Sequence, residues 1–270
     1  MLYETLEVSL VDGVARIELN RPEKANALSE CVWWELQEAC RWLDATPAAR
    51  VGILAGRGRH FCAGIDLEML QLMRAEAIDF PSGHREEHLR QRIAGLQSCI
   101  TALEECRKPL LASIQGACVG GGIDLITACD MRYATVDARF SVKEIDLAIV
   151  ADVGTLQRLP RIVGEGIARE LVLTAREFNG QEAEALRLVN RAFPTREALE
   201  AEVGRVAAAI AAKSPLAVRG TKEVLNFSRD HTVSEGLAYV ATKNASLLFS
   251  PDVTTAVKAF VERRIPVFPD

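Results

Sequence analysis

The chain opens with alternating hydrophobic and polar residues, and this pattern predicts two β-strands. Residues 6–10 alternate in this way, and the alternation resumes over residues 14–19. Between the two runs lies Asp12-Gly13, a dipeptide that favours a tight hairpin turn. The first twenty residues therefore predict a β-hairpin.

Helical spacing of hydrophobic residues follows the hairpin. After Ser29, a candidate helix cap, hydrophobic residues recur at every third or fourth position, and residues 51–55 then form an apolar run typical of a strand. The same helical spacing returns over residues 89–103, and Pro109 separates that predicted helix from an apolar strand over residues 110–114. A unit of strand, strand, helix and strand therefore begins to repeat along the chain.

The alternation continues with a short helix predicted from Ile123 and strands predicted over residues 131–135 and 140–142. The last quarter of the chain reads as helices only. The breaks between these helices are predicted near Ser214-Pro215, His231-Thr232 and Ser250-Pro251. We therefore predict an α/β body over residues 1–195 and an all-helical region over residues 196–270, which docks on its own body or on a neighbouring subunit.

Composition excludes two classes of partner. The 270 residues carry 32 Lys or Arg and 37 Asp or Glu, a net charge of −5, so no basic surface is expected for nucleic acid. The longest apolar stretch, residues 110–123, is interrupted by polar residues and glycines and is shorter than the roughly 20 residues of a membrane helix. We expect neither a nucleic acid nor a membrane as partner.

Neither end of the chain reads as a targeting signal. Residues 1–7 contain two Glu and neither Lys nor Arg, unlike a secretory or transit peptide. The last four residues, 267–270, are not a peroxisomal address. These features predict a cytoplasmic protein.

Seven cysteines and four histidines are dispersed without metal-binding spacing. The cysteines form no Cys-x-x-Cys pair and lie in apolar or helical contexts, so reduced and mostly buried thiols are expected. His84 and His88 are four residues apart, but their charged neighbours favour a solvated helix face. We predict no metal site.

Three loops are candidates for ligand binding. The first loop, residues 20–28, contains a proline and several turn-forming residues, and alone it indicates only a loop. The second loop, residues 59–67, contains Gly64, which permits a backbone conformation closed to other residues and a close approach to a ligand. The third loop, residues 116–125, has three consecutive glycines that lead into a helix.

The second and third loops have the features of an oxyanion hole. The first N–H groups of a helix have no partner within the helix, and two N–H groups from different loops can converge on one oxygen. A phosphate cradle or a plain tight turn is the alternative for the third loop. The sequence contains neither Gly-Lys-Ser/Thr nor G-x-G-x-x-G at this point.

Acidic residues cluster after the glycines, at Asp124, Glu144 and Asp152. Asp124 and Asp152 stand in apolar sequence, where burial raises the pKa of a carboxyl toward the range useful for proton transfer. Each of the three also has a structural interpretation, as a helix cap or an ion-pair partner. Asp152 in particular is a candidate cap for a helix that begins near Val153.

Three segments together resemble the crotonase superfamily, the enoyl-CoA hydratase/isomerase fold; these are residues 20–28, residues 61–67 and Gly120-Gly-Gly-Ile-Asp-Leu125. The resemblance extends over the whole chain in order. It implies an α/β, crotonase-like spiral of repeated strand-strand-helix turns with an all-helical C-terminal region. It further implies that this region packs subunits into a homotrimer, often paired as a homohexamer.

The resemblance also implies which residues contact the substrate, an acyl-CoA thioester. The backbone N–H groups of Ile65 and Gly121 match the positions that hold the thioester oxygen in this superfamily. The residues expected to bind the CoA thioester are Lys24, Ala25, Ala27, Ala63, Gly64, Ile65, Asp66, Leu67 and Gly121. Residues 68–88 are expected to cover the acyl pocket. CoA is part of the substrate, so no separate cofactor is implied.

The segments that look most like the isomerases converting a 3,5-dienoyl-CoA to a 2,4-dienoyl-CoA are 112–133, 142–146 and 151–160. Asp124 and Glu144 occupy the positions at which hydratases carry a pair of glutamates, and here the first is a shorter aspartate. Asp152 falls where those isomerases carry a catalytic aspartate. The three carboxyls together match the isomerase set.

The implied reaction is a double-bond shift of fatty-acid β-oxidation. Loss of a proton from carbon 2 gives a dienolate that the oxyanion hole stabilises, and a proton then returns at carbon 6. The resemblance implies Glu144 and Asp152 as the base and acid, with Glu144 nearer carbon 2. Asp124 is expected to tune the site by hydrogen bonding or by opposing attack of water.

Other functions fit parts of the same pattern. An enoyl-CoA hydratase or a 3,2-enoyl-CoA isomerase would use the same oxyanion hole and the same CoA-binding loops. A binding protein that keeps the fold without catalysis, including the RNA-binding role of some family members, is the alternative from another class. The net charge of −5 and the three acidic positions argue against the binding protein.

Overall fold

A six-stranded sheet forms the centre of the structure, a computed structural model that describes residues 2–269. The strands in chain order are β1 (Leu6–Val11), β2 (Val14–Leu19), β3 (Val51–Gly56), β4 (Leu110–Ile114), β5 (Ala117–Val119), β6 (Met131–Thr135), β7 (Arg139–Ser141), β8 (Phe178–Asn179) and β9 (Arg191–Phe193). The large sheet has the order β1-β2-β3-β4-β6-β9, and β5-β7-β8 form a second sheet. From β2 to β9 all neighbours in the large sheet are parallel, so the loops after these strands gather at one edge.

Helices cover the sheet and make up the C-terminal region. In chain order they are α1 (Glu30–Ala45), α2 (Leu67–Ile78), α3 (His84–Glu105), α4 (Gly121–Ala128), α5 (Thr155–Val163), α6 (Glu165–Thr174), α7 (Gly180–Ala185), α8 (Arg196–Ala211), α9 (Pro215–Ser228), α10 (Val233–Leu247) and α11 (Pro251–Val261). Two short 3₁₀ helices span Pro22–Lys24 and Glu144–Leu147. The predicted α/β class and the helical C-terminal region are confirmed.

The local patterns at the start of the chain form the expected elements. β1 and β2 pair as an antiparallel hairpin across the turn at Asp12-Gly13. α1 buries the side on which its hydrophobic residues recur, including Trp33 and Leu36. Ser29 holds the N-cap position of α1, but its side chain makes no capping hydrogen bond. Hydrophobic periodicity therefore predicted this helix better than its cap did.

The glycine-rich third loop differs from its prediction. α4 begins at Gly121, two residues before the predicted Ile123, and the three-residue strand β5 lies just before it. β5 was not predicted because three residues are too short for an alternation to register. Within this segment Cys118 pairs as an isolated bridge with Cys62 of the second loop. This bridge brings the second and third loops together.

The long helix α3 covers more of the chain than its apolar periodicity indicated. It begins at His84, five residues before Leu89, because its first turn is polar and capped by the carboxylate of Glu86 at the N–H of Gly83. His84 is exposed as predicted, whereas His88 is half-buried and stacks on Phe80. Polar first turns are exposed, so hydrophobic spacing alone does not detect them.

The C-terminal helices begin where the breaks predicted them. The side chains of Thr195, Ser214 and Thr232 accept capping hydrogen bonds at the starts of α8, α9 and α10. α8 packs Leu199 and Val203 against one face of the large sheet, in a cluster with β3 and β4. The first helix of the predicted C-terminal region thus docks on the chain's own body.

The structure can be compared with two further predictions, that the cysteines are reduced and mostly buried and that no helix spans a membrane. Between residues 2 and 269 every cysteine is free; Cys31 is half-buried and the other six are buried, as expected. None of the helices in this range combines the length and hydrophobicity needed to cross a membrane.

Candidate active site

The first loop is fixed against the second loop by backbone hydrogen bonds. The N–H of Ala63 donates to the carbonyl of Ala25 at 3.0 Å, and the N–H of Leu28 donates to the carbonyl of Gly64 at 2.8 Å. The buried amide of Asn26 donates to two backbone carbonyls that follow β3, at 3.0 and 2.8 Å. The two loops that were expected to bind CoA therefore form one continuous rim.

Two backbone N–H groups meet where the second and third loops approach each other. Gly64 has φ +90°, and a Cβ there would lie 3.0 Å from the carbonyl oxygen of Val119 and 3.6 Å from the nitrogen of Gly121. A Cβ on Gly121 would lie 2.8 Å from the Leu28 side chain and 3.8 Å from the nitrogen of Ile65. The N–H groups of Ile65 and Gly121 donate to no acceptor among residues 2–269. Both donors are thus close together and free to bind one ligand oxygen.

These loops form one wall of a cavity of about 190 Å³. The predicted site residues that line it are Ala63, Gly64, Ile65, Leu67, Gly121, Asp124, Glu144 and Asp152. The structure therefore brings the predicted oxyanion donors and all three predicted carboxyls to one cavity, although Asp152 lies 88 residues from Gly64 along the chain. Residues 68–88, the predicted acyl-pocket cover, do not line this cavity; Leu67, the first residue of α2, does.

The remaining predicted substrate residues, Lys24, Ala25, Ala27 and Asp66, do not line the cavity. Lys24 is exposed, with its ammonium 3.5 Å from a carboxylate oxygen of Glu68. The carboxylate of Asp66 lies 3.0 Å from the Arg21 guanidinium and caps the start of α2. Arg21 also donates to the carbonyl of Ala27 at 2.6 Å. Asp66 therefore fastens the first loop to α2.

Several cavity residues were not identified from the sequence. These further lining residues are mainly hydrophobic, with one lysine; they are Trp33, Leu96, Lys143, Leu147, Ile149 and Val153. Trp33 and Leu96 belong to helical apolar stripes, a pattern that predicts burial but not which residues are near the ligand. The sequence signal for the others was their position next to Glu144 and Asp152.

Asp124 is the most buried of the three carboxyls. It lies on α4 with none of its surface exposed, and its Oδ1 accepts hydrogen bonds from the backbone N–H and the hydroxyl of Thr155 at 2.6 and 2.7 Å. Its Oδ2 has no hydrogen-bond partner among the described residues. Burial raises the pKa of Asp124 to about 7, and the nearby charge of Glu144 acts in the same direction.

Glu144 begins the second 3₁₀ helix and lies beside the glycines of the third loop. A Cβ on Gly120 would be 3.5 Å from its Oε1. Its Oε2 is buried and has no partner within residues 2–269. Burial raises the pKa of Glu144, and the charge of Asp152 raises it further. Glu144 is therefore a stronger base than an exposed glutamate, and it stands next to the free N–H groups.

Asp152 lies at the edge of the cavity, and its backbone is held from α3. Its carbonyl accepts a hydrogen bond of 2.6 Å from the side chain of Gln97. The residue is exposed on one side, yet partial burial by the surrounding protein raises the pKa of its carboxyl. The interpretation of Asp152 as a helix cap is wrong: α5 begins at Thr155 with Gly154 as N-cap, and Asp124 accepts the Thr155 N–H instead.

This arrangement suits proton transfer next to a carbonyl group. Three carboxyls whose pKa values are raised by burial line the cavity, where they can take up and release protons. The two free N–H groups are placed to stabilise negative charge that develops on an oxygen. The hydrophobic side chains that line the cavity suit an alkyl chain.

Comparisons with known proteins agree over nearly the whole chain. The model of the enoyl-CoA hydratase/isomerase family matches residues 10–270. The chain is 49% identical over 270 residues to the peroxisomal Delta(3,5)-Delta(2,4)-dienoyl-CoA isomerase of Arabidopsis thaliana, covering 98% of this chain and 97% of that protein. It is 41% identical over 268 residues to the mitochondrial Delta(3,5)-Delta(2,4)-dienoyl-CoA isomerase of Mus musculus, and the match covers 97% of this chain and 81% of the mouse protein. The crystal structure of enoyl-CoA hydratase from Bacillus anthracis matches with a TM-score of 0.88 at 32% identity. The match covers 98% of this chain and 99% of that structure's chain.

The names of these relatives contradict the predicted cytoplasmic localisation. The plant relative is peroxisomal and the mouse relative is mitochondrial. The prediction depended only on the composition of the chain's two ends, whereas the same fold and active site work in any compartment to which a targeting signal directs them. The prediction of a cytoplasmic protein is therefore wrong.

The match to the family extends through both the body and the helical C-terminal region. It includes all three loops and the three carboxyls that meet at the cavity. The relatives that share this length are named as enzymes that act on CoA thioesters. On these grounds the chain belongs to the enoyl-CoA hydratase/isomerase family, the crotonase family, and is one of its enzymes.

Proposed function

We propose that this enzyme moves the double bonds of a 3,5-dienoyl-CoA to give a 2,4-dienoyl-CoA, in fatty-acid β-oxidation. The observation that carries the proposal is the position of Asp152, whose side chain lines the same small cavity as Glu144, Asp124 and Gly121. A hydratase needs acid and base groups at one water molecule, whereas a dienoyl shift needs them at two separated carbons. The plant and mouse relatives, both named Delta(3,5)-Delta(2,4)-dienoyl-CoA isomerase, support this proposal.

The thioester oxygen is held by the N–H groups of Ile65 and Gly121. When the proton leaves carbon 2, negative charge spreads over the dienolate and reaches this oxygen. Hydrogen bonds to the oxygen are stronger in the charged state, so they lower the barrier rather than only binding substrate. The first loop, with Lys24, Ala25 and Ala27, is proposed to hold the CoA part outside the cavity.

Glu144 and Asp152 carry out the two proton transfers. Glu144 takes the proton from carbon 2 because it lies beside the glycines that hold the thioester. Asp152 gives its proton to carbon 6, so the bonds between carbons 3 and 4 and between carbons 5 and 6 become single. The new double bonds lie between carbons 2 and 3 and between carbons 4 and 5. Both carboxyls then exchange protons with solvent, which reaches the exposed side of Asp152.

This reaction only moves a proton and an electron pair within the substrate. No oxidant, reductant or metal is required, and the CoA group arrives with the substrate, so we propose that the enzyme works without a further cofactor. The oligomer implied by the family, a trimer or a hexamer, is also part of the proposal.

The experiment that tests this function is a panel of purified CoA thioesters with 3,5-dienoyl, 3-enoyl and 2-enoyl chains. We expect the 3,5-dienoyl-CoA to be converted with the appearance of the absorbance of the conjugated dienoyl thioester. Hydration of the 2-enoyl-CoA, followed as loss of its conjugated absorbance, should be at least about 100-fold slower. A faster reaction with the 2-enoyl-CoA or the 3-enoyl-CoA would replace the proposal by the hydratase or the 3,2-isomerase.

A further inference from the structure

Thr155 contacts Asp124 through two hydrogen bonds to one carboxylate oxygen. Both its backbone N–H and its hydroxyl donate to the same oxygen, Oδ1, at 2.6 and 2.7 Å. Thr155 is fully buried, as is Asp124, so water does not compete for these bonds. No other acceptor is found for the hydroxyl among the described residues.

This contact restricts where Asp124 carries a proton when it is neutral. A backbone N–H can only donate, and the Thr155 hydroxyl has Oδ1 as its acceptor, so the lone pairs of Oδ1 are in use. The proton of the neutral acid is therefore directed to Oδ2, the oxygen that has no partner among the described residues. Because Asp124 lines the active-site cavity, neutral Asp124 would offer a hydrogen-bond donor there.

We propose that Thr155 is a positioning residue that holds Asp124 through Oδ1, so that Asp124 acts in the cavity as a neutral hydrogen-bond donor through Oδ2. The proposal deepens the isomerase function above and rests on it for its catalytic consequence. A neutral donor at this position cannot take a proton from water. Asp124 then opposes hydration and leaves proton transfer to Glu144 and Asp152.

The surroundings of Asp124 favour its neutral form. Lys143 also lines the cavity, but its ammonium lies 3.3 and 3.7 Å from the carboxylates of Asp146 and Glu177. The other titratable groups around Asp124 are the carboxyls of Glu144 and Asp152 and the thiols of Cys62 and Cys118. None of these four groups carries positive charge. The hydroxyl and the backbone N–H of Thr155 both stabilise the ionised form, the hydroxyl more strongly, and they oppose the rise in the pKa of Asp124 that burial causes.

Two matched substitutions separate the hydrogen bond from packing. Thr155→Val keeps the shape and the backbone N–H but removes the hydroxyl, whereas Thr155→Ser keeps the hydroxyl and removes only a methyl group. The readout is the infrared signal of the protonated carboxyl of Asp124, followed against pH and assigned by its absence in Asp124→Asn. We expect Thr155→Val to move this titration upward by about 1 to 2 pH units. Thr155→Ser should titrate close to the parent.

Catalysis provides a second readout. The alkaline limb of kcat/KM should move upward with the titration of Asp124 in Thr155→Val, and KM should change less than kcat. Asp124→Asn, which keeps an acceptor at Oδ1 and places N–H donors at the other position, should retain at least 10-fold more turnover than Asp124→Ala.

The proposal is overturned if Thr155→Val titrates like the parent, or if Thr155→Ser shifts as far as Thr155→Val, which would make packing the cause. Thr155→Ala, which also lacks the hydroxyl, should shift the titration as Thr155→Val does, and it replaces Thr155→Val if that variant does not fold. The infrared titration needs no substrate. Absence of dienoyl-CoA turnover would therefore refute the proposed function without deciding the role of Thr155.

Discussion

Asp152 is the residue on which the proposed isomerase activity, as opposed to hydratase activity, depends most. Its side chain does not cap α5, so replacement by an amide removes no helix cap. Asp152→Asn should lower dienoyl-CoA isomerisation by about 100-fold or more, because the amide neither gives nor takes a proton. Turnover and melting temperature measured beside the parent test this expectation.

Two further variants control this measurement. Glu144→Gln should lose turnover to a similar extent, since it removes the other proton-transfer group. Asp137→Asn, an exposed aspartate that does not line the cavity, should behave like the parent. Retained isomerisation in Asp152→Asn would favour the hydratase or the 3,2-isomerase.

Substitution of Gly121 tests whether its backbone N–H is one of the two oxyanion-hole donors. A side chain here would meet Leu28 and stand 3.8 Å from the nitrogen of Ile65, in the space where the thioester oxygen is proposed to bind. Gly121→Val should lower turnover by about 100 to 1,000-fold, the usual effect of losing one oxyanion donor. Gly166→Val is the matched control, because a Cβ on that helical glycine meets nothing within 4 Å. Equal turnover in Gly121→Val and the control would refute the oxyanion assignment.

The pKa of Asp124 predicts how stability depends on pH. Because burial raises this pKa from 3.8 to about 7, the folded protein binds the proton more tightly than the unfolded chain does. The contribution of Asp124 to stability is therefore lost as pH rises from about 4 to 7. Asp124→Asn lacks this titration and should gain stability relative to the parent by an amount of the order of 4 kcal/mol at pH 8, with little difference at pH 4.

Denaturant unfolding at both pH values and at one protein concentration measures this difference. A gap between parent and Asp124→Asn that is the same at pH 4 and pH 8 would contradict the raised pKa. Asp137→Asn again serves as the control, because its aspartate is exposed.

At the scale of elements, α3 supports the loop that carries Asp152. Gln97 on α3 donates to the carbonyl of Asp152 at 2.6 Å. Gln97→Met keeps the length of the side chain but removes the donor, so the observed conformation of the loop should be destabilised by about 1 kcal/mol. We expect kcat for dienoyl-CoA to fall about fivefold with KM nearly unchanged, measured by steady-state kinetics.

Gln91→Met is the matched control for this change, because Gln91 is an exposed glutamine on the same helix. A loss of turnover in both variants would indicate a general effect on α3. Parent-like kinetics in Gln97→Met would show that the loop holds Asp152 without this bond.

At the scale of the whole molecule, the C-terminal helices expose large hydrophobic side chains. Leu237, Phe249 and Phe260 are 64%, 94% and 85% exposed in the single chain. Exposed apolar surface of this kind is typical of subunit interfaces. Sedimentation should therefore give more than the 29.5 kDa of one chain, and three or six times that mass for the proposed trimer or hexamer. A monomer at micromolar concentration would refute the proposed assembly.

Phe260→Asp should shift the protein toward smaller species, because it places a charge on this apolar surface. Lys258→Asp changes charge on the same helix without removing apolar surface, and it should leave the assembly closer to the parent. The same sedimentation measurement compares the three proteins.

The elements and the loops were predictable because their signals are local. The hairpin of β1 and β2, the apolar faces of α1 and α3 and the starts of the C-terminal helices depend on residues within a few positions of each other. The resemblance of the three loops to a known family added the identity of the site. It indicated Asp124, Glu144 and Asp152 before any of them could be placed in space.

Contacts between distant segments were decided only by the tertiary structure. Thr155 meets Asp124 across 31 residues, and Gln97 meets Asp152 across 55. Trp33 and Leu96 have the same helical spacing as other core residues, and only the packing of α1 and α3 places them at the cavity. Periodicity specifies which side of an element is buried. Which other element packs against that side depends on contacts between distant segments of the chain. For this reason the sequence predicted the three carboxyls, while the hydrogen bonds that hold Asp124 and the loop of Asp152 emerged only from the folded structure.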